Sequence, residues 1–220
     1  MNIAGNPDGQ ARLTGHGLDA VPAVCRGDSC VPGGDLEAIA RLLELDYDAP
    51  NTLTPAELFD RFLLVLDAAK RYMLQAHFDG LSIKSPDRDR SFRELCRHIT
   101  LIPSAFVTAY DTGLFPRELF NEVDVPVTLT GAALARELEA SKGGLASWWQ
   151  TSGSEDPFDR VIETYWGAHS LHEAFERETW HVAQHTRQVM MFLEMLGLAP
   201  DRPLTAGDLA GLPLPEGVWD

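Results

Sequence analysis

The stretch from Ser170 to Gly197 constrains the fold more than any other part of the chain. Ser170 and Glu173 have the spacing of a capping box, in which two side chains satisfy backbone N–H groups that the first helical turn leaves free. Gly197 and the following Pro200 are residue types that end a helix. The sequence therefore predicts one long helix that runs to Leu196 and whose apolar face other helices must cover.

Three more segments carry helix signals of the same kind. An N-capping residue precedes each of them, and apolar residues recur within them at helical spacing. They are residues 55–79, which follow Thr54 and start at Pro55, the segment that follows the capping box of Ser91 and Glu94, and residues 131–150, which follow Thr130. We expect Pro103 to kink or loosen the second segment, and Gly143 and Gly144 to weaken the third. Four amphipathic helices of this length predict a mainly α protein built on a four-helix bundle.

The rest of the chain divides into two flanking parts. Residues 1–48 contain a predicted hairpin around the turn from Arg26 to Ser29 and a helix capped by Asp35, so we expect a small α/β appendage. Residues 49–197 hold the bundle. Residues 198–220 contain four prolines and predict an extended tail without a core of its own.

The charge balance excludes one class of partner. The chain has 18 basic and 33 acidic residues and a formal net charge of −15. Nucleic-acid phosphates require a basic surface, so nucleic acid is not an expected partner. No apolar run reaches the roughly 18 residues of a membrane span, and residues 1–15 lack the apolar core of a secretory signal. We therefore expect a cytoplasmic protein that has no membrane partner.

The three cysteines, Cys25, Cys30 and Cys96, form no recognisable metal or disulfide pattern. Their number is odd, and no pair has the C-x-x-C spacing of a zinc or redox site. A bridge between Cys25 and Cys30 across the short turn is an alternative, but a reducing cytoplasm favours free thiols. We expect all three cysteines to be unbridged.

His181 and His185 lie four residues apart on the predicted last helix, which places them about 40° apart around its axis. Imidazoles at this spacing can bind one ion together, although two hydrogen-bonded core histidines would give the same pattern. His98 shares a face of the second predicted helix with Leu95 and Ile102, so it also faces the bundle interior. Three inward histidines from two helices indicate a metal site with open coordination positions, as catalytic metals have.

Two stretches resemble the DinB-like superfamily of four-helix metalloproteins: SFRELCRHI at residues 91–99 and YWGAHSLHEAFERETWHVAQHTRQVMMFLEMLG at residues 165–197. The resemblance covers about residues 55–197 and includes the order of one histidine followed by a His-x3-His pair. It implies a divalent metal, zinc or nickel, on His98, His181 and His185. Many such proteins use a low-molecular-weight thiol and act as thiol transferases or thiol-dependent isomerases, whereas others have no known activity.

Residues 20–43, AVPAVCRGDSCVPGGDLEAIARLL, resemble the second half of a glutaredoxin. The resemblance implies glutathione binding. The backbone at Val21 and Pro22 would pair with the cysteinyl part, and Gly33, Gly34 and Asp35 would hold the γ-glutamyl end at a helix N-terminus. The redox half of a glutaredoxin is missing, so disulfide reductase chemistry is not expected. The alternative is that this unit only covers the bundle and buries its own apolar side chains.

The leading hypothesis is a metal- and glutathione-dependent transferase or isomerase, in which the metal activates the thiol for attack on a small electrophilic substrate. Glu178 and Gln188 flank the histidines on the last helix and are candidate partners of the imidazoles or proton acceptors, while Arg177 is a candidate for binding a substrate carboxylate. Two alternatives remain: a metal hydrolase that needs no thiol, and a non-catalytic stress-response bundle that the metal stabilises. Such bundles commonly dimerise, so a homodimer is one expected assembly.

Overall fold

The computed structural model describes residues 7–18, 22–33, 36–46, 52–86, 88–121 and 124–218. The chain forms two compact units, residues 1–51 and residues 52–220. The sequence predicts the boundary between them after residue 48. It also predicts a separate tail from residue 198 onward, and this tail falls within the second unit.

The first unit is a small α/β structure. After helix α1 (Pro7–Gly15), strands β1 (Ala23–Arg26) and β2 (Ser29–Pro32) form an antiparallel hairpin, and helix α2 (Leu36–Leu43) follows. The hairpin turns at Gly27, whose φ of 60° lies in the left-handed region that glycine adopts without strain. The predicted hairpin and the helix after it are confirmed, whereas the glycine-rich N-terminal sequence does not signal α1. Asp35, the predicted cap of α2, lies outside the described residues.

Cys25 and Cys30 are joined by a disulfide, so the expectation of free thiols at these positions is wrong. The two-residue turn places the cysteines directly opposite each other on β1 and β2, with their Cα atoms 4.1 Å apart. Side chains opposite each other in an antiparallel pair are close enough to be bridged. The register of the hairpin therefore brings the two sulfur atoms together. Cys96 is free and fully buried in the second unit.

Four long helices form most of the second unit. They are α3 (Pro55–Gln75), α4 (Phe92–Thr112), α5 (Gly131–Thr151) and α6 (Leu171–Met195). Helices α3, α4 and α6 each begin with a capping box. In each, a Thr or Ser side chain accepts from the backbone N–H of a glutamate three residues later. The glutamate carboxylate in turn accepts from the backbone N–H of the capping residue. Thr130 caps α5 with its side-chain oxygen. The helix starts predicted from the sequence are confirmed.

The long helices bury one apolar core. Helices α3 and α4 each pack against both α5 and α6, so every long helix has two long neighbours. Large side chains with no exposed surface fill the space between them, among them Phe62, Phe106, Phe175 and Phe192. The protein is mainly helical, and this packing is compatible with the predicted four-helix bundle.

The residues that were expected to disturb helices do not interrupt them. Helix α4 continues through Pro103, and the backbone N–H of the next residue, Ser104, donates to the hydroxyl of Ser141 on α5 at 3.2 Å. Helix α5 continues through Gly143 and Gly144. Packing between the long helices outweighs the poor intrinsic helix propensity of these residues.

A three-stranded sheet and the C-terminal tail complete the second unit. Strand β3 (Leu114–Phe115) pairs in parallel with β4 (Val161–Thr164), which pairs in antiparallel with β5 (Gly167–Ser170). The tail crosses two of the long helices. The hydroxyl of Tyr72 on α3 donates to the carbonyl of Arg202 at 3.1 Å, and Gln184 on α6 donates to the carbonyl of Val218 at 2.7 Å. Among the described residues, none of the helices has both the length and the apolar character needed to cross a membrane.

Candidate metal centre

Three histidines from two helices converge at one point. His98 lies in the second turn of α4, and His181 and His185 lie one turn apart in the middle of α6. Each offers one ring nitrogen, and the three nitrogens all lie within 4.8 Å of one another. Helical spacing puts His181 and His185 on one face, and the packing of α4 against α6 brings His98 to them. The structure thus assembles the three residues that the sequence predicts as metal ligands.

Each imidazole has an acceptor beside its Nδ1 atom. Nδ1 of His98 lies 2.9 Å from the backbone oxygen of Phe120. Nδ1 of His181 lies 3.0 Å from the carboxylate of Glu178. Nδ1 of His185 lies 2.7 Å from the side-chain oxygen of Gln188. Because all three partners accept hydrogen bonds, each Nδ1 carries the hydrogen, which assigns the tautomer. Each Nε2 atom is left with a lone pair, the form that binds a metal.

The Nε2 atoms of His98 and His181 lie 3.3 Å apart. With both Nδ1 atoms protonated, two lone pairs face each other across this gap, and they repel each other unless a cation lies between them. Zinc–nitrogen bonds of about 2.0–2.1 Å at tetrahedral angles place two ligand nitrogens roughly 3.3–3.4 Å apart. The observed separation therefore fits two ligands of one ion.

The environment keeps two of the imidazoles neutral. His98 and His185 are only 7% and 8% exposed. Burial lowers the pKa of His98 to about 2 and holds the pKa of His185 well below its usual value, and the charges of Arg90 and His181 add to both effects. Neutral imidazole is the ligand form, so metal binding at neutral pH requires no proton loss from these two residues.

Glu178 is a fully buried carboxylate with two partners. One oxygen accepts from His181 Nδ1, and the other pairs with the guanidinium of Arg177. Arg177 also donates to the hydroxyl of Tyr165 and lies over the ring of Trp166, 4.1 Å from its centroid. Glu178 thus contacts a histidine as the sequence suggests. Arg177, a candidate for binding a substrate carboxylate, is already engaged with Glu178 and with three aromatic rings.

Gln188 connects the histidine cluster to the tail. Its side-chain oxygen accepts from His185, and its side-chain nitrogen donates to the carbonyl of Val218 at 3.0 Å. Because a carbonyl can only accept, the contact with Val218 assigns the orientation of the amide. Gln184 and Arg187 bind the same part of the tail. Gln188 is therefore a positioning residue for His185.

The sequence gives no sign of two partners in this network. Phe120 and Val218 contribute backbone carbonyls, which every residue type offers equally. Phe120 follows the short 3₁₀ turn Arg117–Leu119, and Val218 lies near the end of the tail. Only the path of the chain identifies them.

A cavity of about 540 Å³ lies beside the three histidines, which are among its lining residues. Its charged lining residues are Arg88, Asp89, Arg90, Glu94, Arg97 and Arg117, and its uncharged ones are Leu101, Phe120, Asn121, Val125 and Tyr165. A volume of this size suits a small ligand. Arg177, Glu178 and Gln188 do not occur among the described lining residues, so they act from behind the histidines.

Only part of the predicted glutathione site falls within the described residues. Pro22 and Gly33 lie at the open end of the hairpin, where the backbone N–H of Gly33 donates to the carbonyl of Pro22 at 2.7 Å. A Cβ atom at Gly33 would lie 2.8 Å from Pro22, so glycine permits this close approach. Val21, Gly34 and Asp35 lie outside the described residues. Glutathione binding by this unit stays a prediction.

Comparison of the chain with known protein families gave no match, and comparison with curated proteins gave none either. The resemblance to the DinB-like superfamily therefore rests on the motifs alone and stays a prediction.

Proposed function

We propose that this chain is a divalent-metal- and glutathione-dependent enzyme of the DinB-like superfamily, a transferase or isomerase that acts on a small electrophilic substrate. The proposal rests mainly on the way the ring nitrogens of the three histidines are oriented. Three Nδ1 atoms are bound to acceptors, and the remaining ring nitrogens converge beside an open cavity. Histidines that only stabilised a core would have hydrogen-bond partners on both nitrogens.

His98, His181 and His185 would hold the ion. A divalent ion on three neutral nitrogens lowers the pKa of a coordinated thiol and polarises a carbonyl group. The adjoining cavity, about 540 Å³ in volume, has room for a thiol and for the carbon atom that it attacks. Such an open side is typical of catalytic rather than structural metal sites.

Residues behind the histidines fix the orientation of the rings. Glu178 accepts from His181, and a carboxylate in this position raises the basicity of the imidazole. Gln188 and the carbonyl of Phe120 hold the other two rings with neutral oxygens. Arg177 pairs with the buried carboxylate of Glu178, so the core holds no unpaired charge at this position.

Two features support glutathione as the thiol. The N-terminal unit resembles the half of a glutaredoxin that binds glutathione, and its Pro22 and Gly33 form a close backbone contact. In the second unit, arginine side chains line the cavity beside the histidines, and arginine pairs well with carboxylates such as the two of glutathione.

The test combines metal analysis with spectroscopy. Protein purified without chelators should retain about one equivalent of a divalent metal, and less than about a tenth of an equivalent would refute the proposal. Glutathione added to the Co²⁺-loaded protein should produce a thiolate-to-cobalt charge-transfer band. S-methylglutathione, which has no free thiol, should not.

Two variants separate the metal site from the other histidines. His98→Ala should abolish metal retention. His172→Ala removes a histidine of the same bundle, whose ring contacts the carbonyl of Leu53 at 2.9 Å, and should retain the metal. A bound metal with no thiolate band would instead favour a thiol-independent hydrolase. A metal that raises only the melting temperature would favour a non-catalytic bundle.

A further inference from the structure

The cavity beside the three histidines concentrates positive charge in an acidic chain. The chain has 18 basic and 33 acidic residues. The cavity reverses this balance, with four arginines against two carboxylates: Arg88, Arg90, Arg97 and Arg117 against Asp89 and Glu94. A basic cavity in an acidic protein attracts an anionic ligand.

The two carboxylates of the cavity have partners of their own. Asp89 pairs with Lys84. Glu94 accepts from the backbone N–H of Ser91 at 2.6 Å, as part of the capping box that begins α4. One arginine is also engaged, because Arg97 pairs with a glutamate of α5 at 2.7 Å. Arg88, Arg90 and Arg117 therefore account for the positive charge of the cavity.

Arg90 is the least exposed of these three. It is partly buried, and its carbonyl accepts from the backbone N–H of Ser85 at 3.0 Å, which holds the loop before α4. Arg90 lines the same cavity as His98, His181 and His185, so it lies near the histidine cluster. Within the described parts of the chain, its guanidinium makes no hydrogen bond or ion pair. Burial lowers the pKa of Arg90 by more than the nearby charge of Glu94 raises it, so an anion bound directly to the guanidinium would be favourable.

Arg88 and Arg117 are exposed and line the cavity from two different segments of the chain. Arg88 belongs to the same loop as Arg90, and Arg117 begins the 3₁₀ turn after β3 and lies over the ring of Tyr165, 4.9 Å from its centroid. A divalent ion on the histidines would add to the positive charge of these three guanidinium groups. A ligand with negative charge relieves their mutual repulsion, and the planar guanidinium matches a carboxylate with two parallel hydrogen bonds.

We propose that the ligand of this cavity carries a carboxylate that binds Arg90, with Arg88 and Arg117 assisting at the rim, while its reacting end faces the three histidines. This inference rests on the proposed function, because it names the ligand class of the same site. The carboxylate belongs either to glutathione or to the second substrate.

The test measures the binding of three probes by calorimetry, to Zn²⁺-loaded and to metal-free protein. The probes are glutathione, succinate as a dicarboxylate without a thiol, and cysteamine as a thiol without a carboxylate. In Arg90→Gln we expect the affinity for at least one carboxylate probe to fall about tenfold or more, the size of effect of a lost charge-assisted hydrogen bond. Cysteamine and zinc should bind no more weakly than they do to the unaltered protein, because the substitution only removes a positive charge near the histidines.

Two further variants make the test specific. Arg90→Lys keeps the charge but loses the planar fork, so its affinity should fall between those of the unaltered protein and Arg90→Gln. If the melting curve shows that Arg90→Gln does not fold, the same binding measurements are made with Arg90→Lys alone, and a weaker affinity for the carboxylate probes is expected there too. Arg136→Gln removes an exposed arginine of α5 that does not line the cavity, and it should leave all three probes unaffected.

Each outcome decides the inference. A loss for glutathione alone assigns the carboxylate to the thiol, and a loss for succinate assigns it to the second substrate; both support the inference. The inference is overturned if the unaltered protein binds neither carboxylate, if Arg90→Gln binds both equally well, or if cysteamine binding falls in parallel. If the chain holds no zinc but Arg90-dependent carboxylate binding persists, the proposed function fails and the anion site stands.

Discussion

The side chain of Gln188 holds the ring of His185 through a hydrogen bond of 2.7 Å. An amide can rotate and present either its oxygen or its nitrogen, and only the oxygen leaves Nε2 of the histidine free for a metal. The carbonyl of Val218 removes this ambiguity, because it accepts from the amide nitrogen at 3.0 Å. The tail therefore contributes to the geometry of the histidine cluster through the side chain of Gln188.

Replacing Gln188 with Leu should weaken metal binding. The ring of His185 would lose the acceptor that fixes its orientation, and loss of such a partner typically lowers metal affinity about 10–100-fold. Competition with a chromophoric chelator measures the change. Gln184→Leu is the matched control, because the side chain of Gln184 also binds the tail but makes its hydrogen bonds to Gly217, Val218 and Arg187 rather than to a histidine. Equal losses in both variants would attribute the effect to the tail rather than to His185.

Glu178→Gln should weaken both the fold and the metal site. The amide keeps the shape of the carboxylate but leaves the guanidinium of Arg177 without its counter-charge, and breaking such a buried pair costs about 3 kcal/mol. His181 would also lose its anionic acceptor. Urea unfolding of the metal-free protein and chelator competition measure the two effects separately.

Glu176→Gln provides the control for this substitution. Glu176 lies on the same helix and is partly exposed, and burial raises the pKa of its carboxyl group, so its charged form is not favoured by the fold. The free energy of unfolding should change little, and the metal affinity should not change. A similar effect of both substitutions would contradict the role given to the pair of Glu178 and Arg177.

The metal-free protein should lose stability as the pH falls below about 6.5. His98 and His185 have folded-state pKa values well below the value of about 6.5 expected in the unfolded chain, because both rings are buried. Below that pH the unfolded chain binds protons that the folded chain does not. The contribution of these two neutral histidines to the free energy of unfolding is therefore complete above about pH 6.5 and decreases below it. Each histidine contributes a slope of roughly 1–1.5 kcal/mol per pH unit.

Urea unfolding at several pH values between about 5.5 and 7.5 measures this slope. His98→Asn removes one of the two groups and should reduce the slope by about half. A free energy of unfolding that does not change over this interval, or an unchanged slope in the variant, would show that the imidazoles are protonated in the folded protein.

The histidine cluster shows which contacts a sequence can reveal. His181 and His185, like Ser170 and Glu173, are three or four residues apart on one helix, so helical geometry alone brings them together. His98 joins them because its helix buries the face on which it lies. These relations depend on side-chain type and spacing, which the sequence displays.

Other contacts depend on the path of the chain. Phe120 lies 22 residues from His98 and Val218 lies 30 residues from Gln188, and both contribute only a backbone oxygen. Cys25 and Cys30 are different, because a hairpin of the predicted register already places them opposite each other. Free thiols were expected because the cytoplasm is reducing, but the pairing of the two strands decides the outcome.

Gly131→Ala should destabilise the bundle. Gly131 begins α5 close to the end of α3, and a Cβ atom there would lie 2.1 Å from the carbonyl oxygen of Met73. Because the neighbour is backbone, the helix ends must move apart, at a cost of about 1–3 kcal/mol. Gly144→Ala, in the same helix with no atom within 4 Å of the new Cβ, should instead stabilise by roughly 0.5–1 kcal/mol. Thermal unfolding of the two variants should give shifts of opposite sign.

The cysteine sulfur atoms are divided between the two units, with a bridged pair in the hairpin and a single thiol in the core of the bundle. Burial raises the pKa of Cys96, so this thiol is unreactive while the bundle is folded. A thiol reagent should label no cysteine in the oxidised folded protein. After reduction it should label Cys25 and Cys30, and it should label Cys96 only after the bundle unfolds. Counting labelled cysteines by mass spectrometry thus reports reduction of the hairpin and opening of the bundle separately, with no engineered probe in either unit.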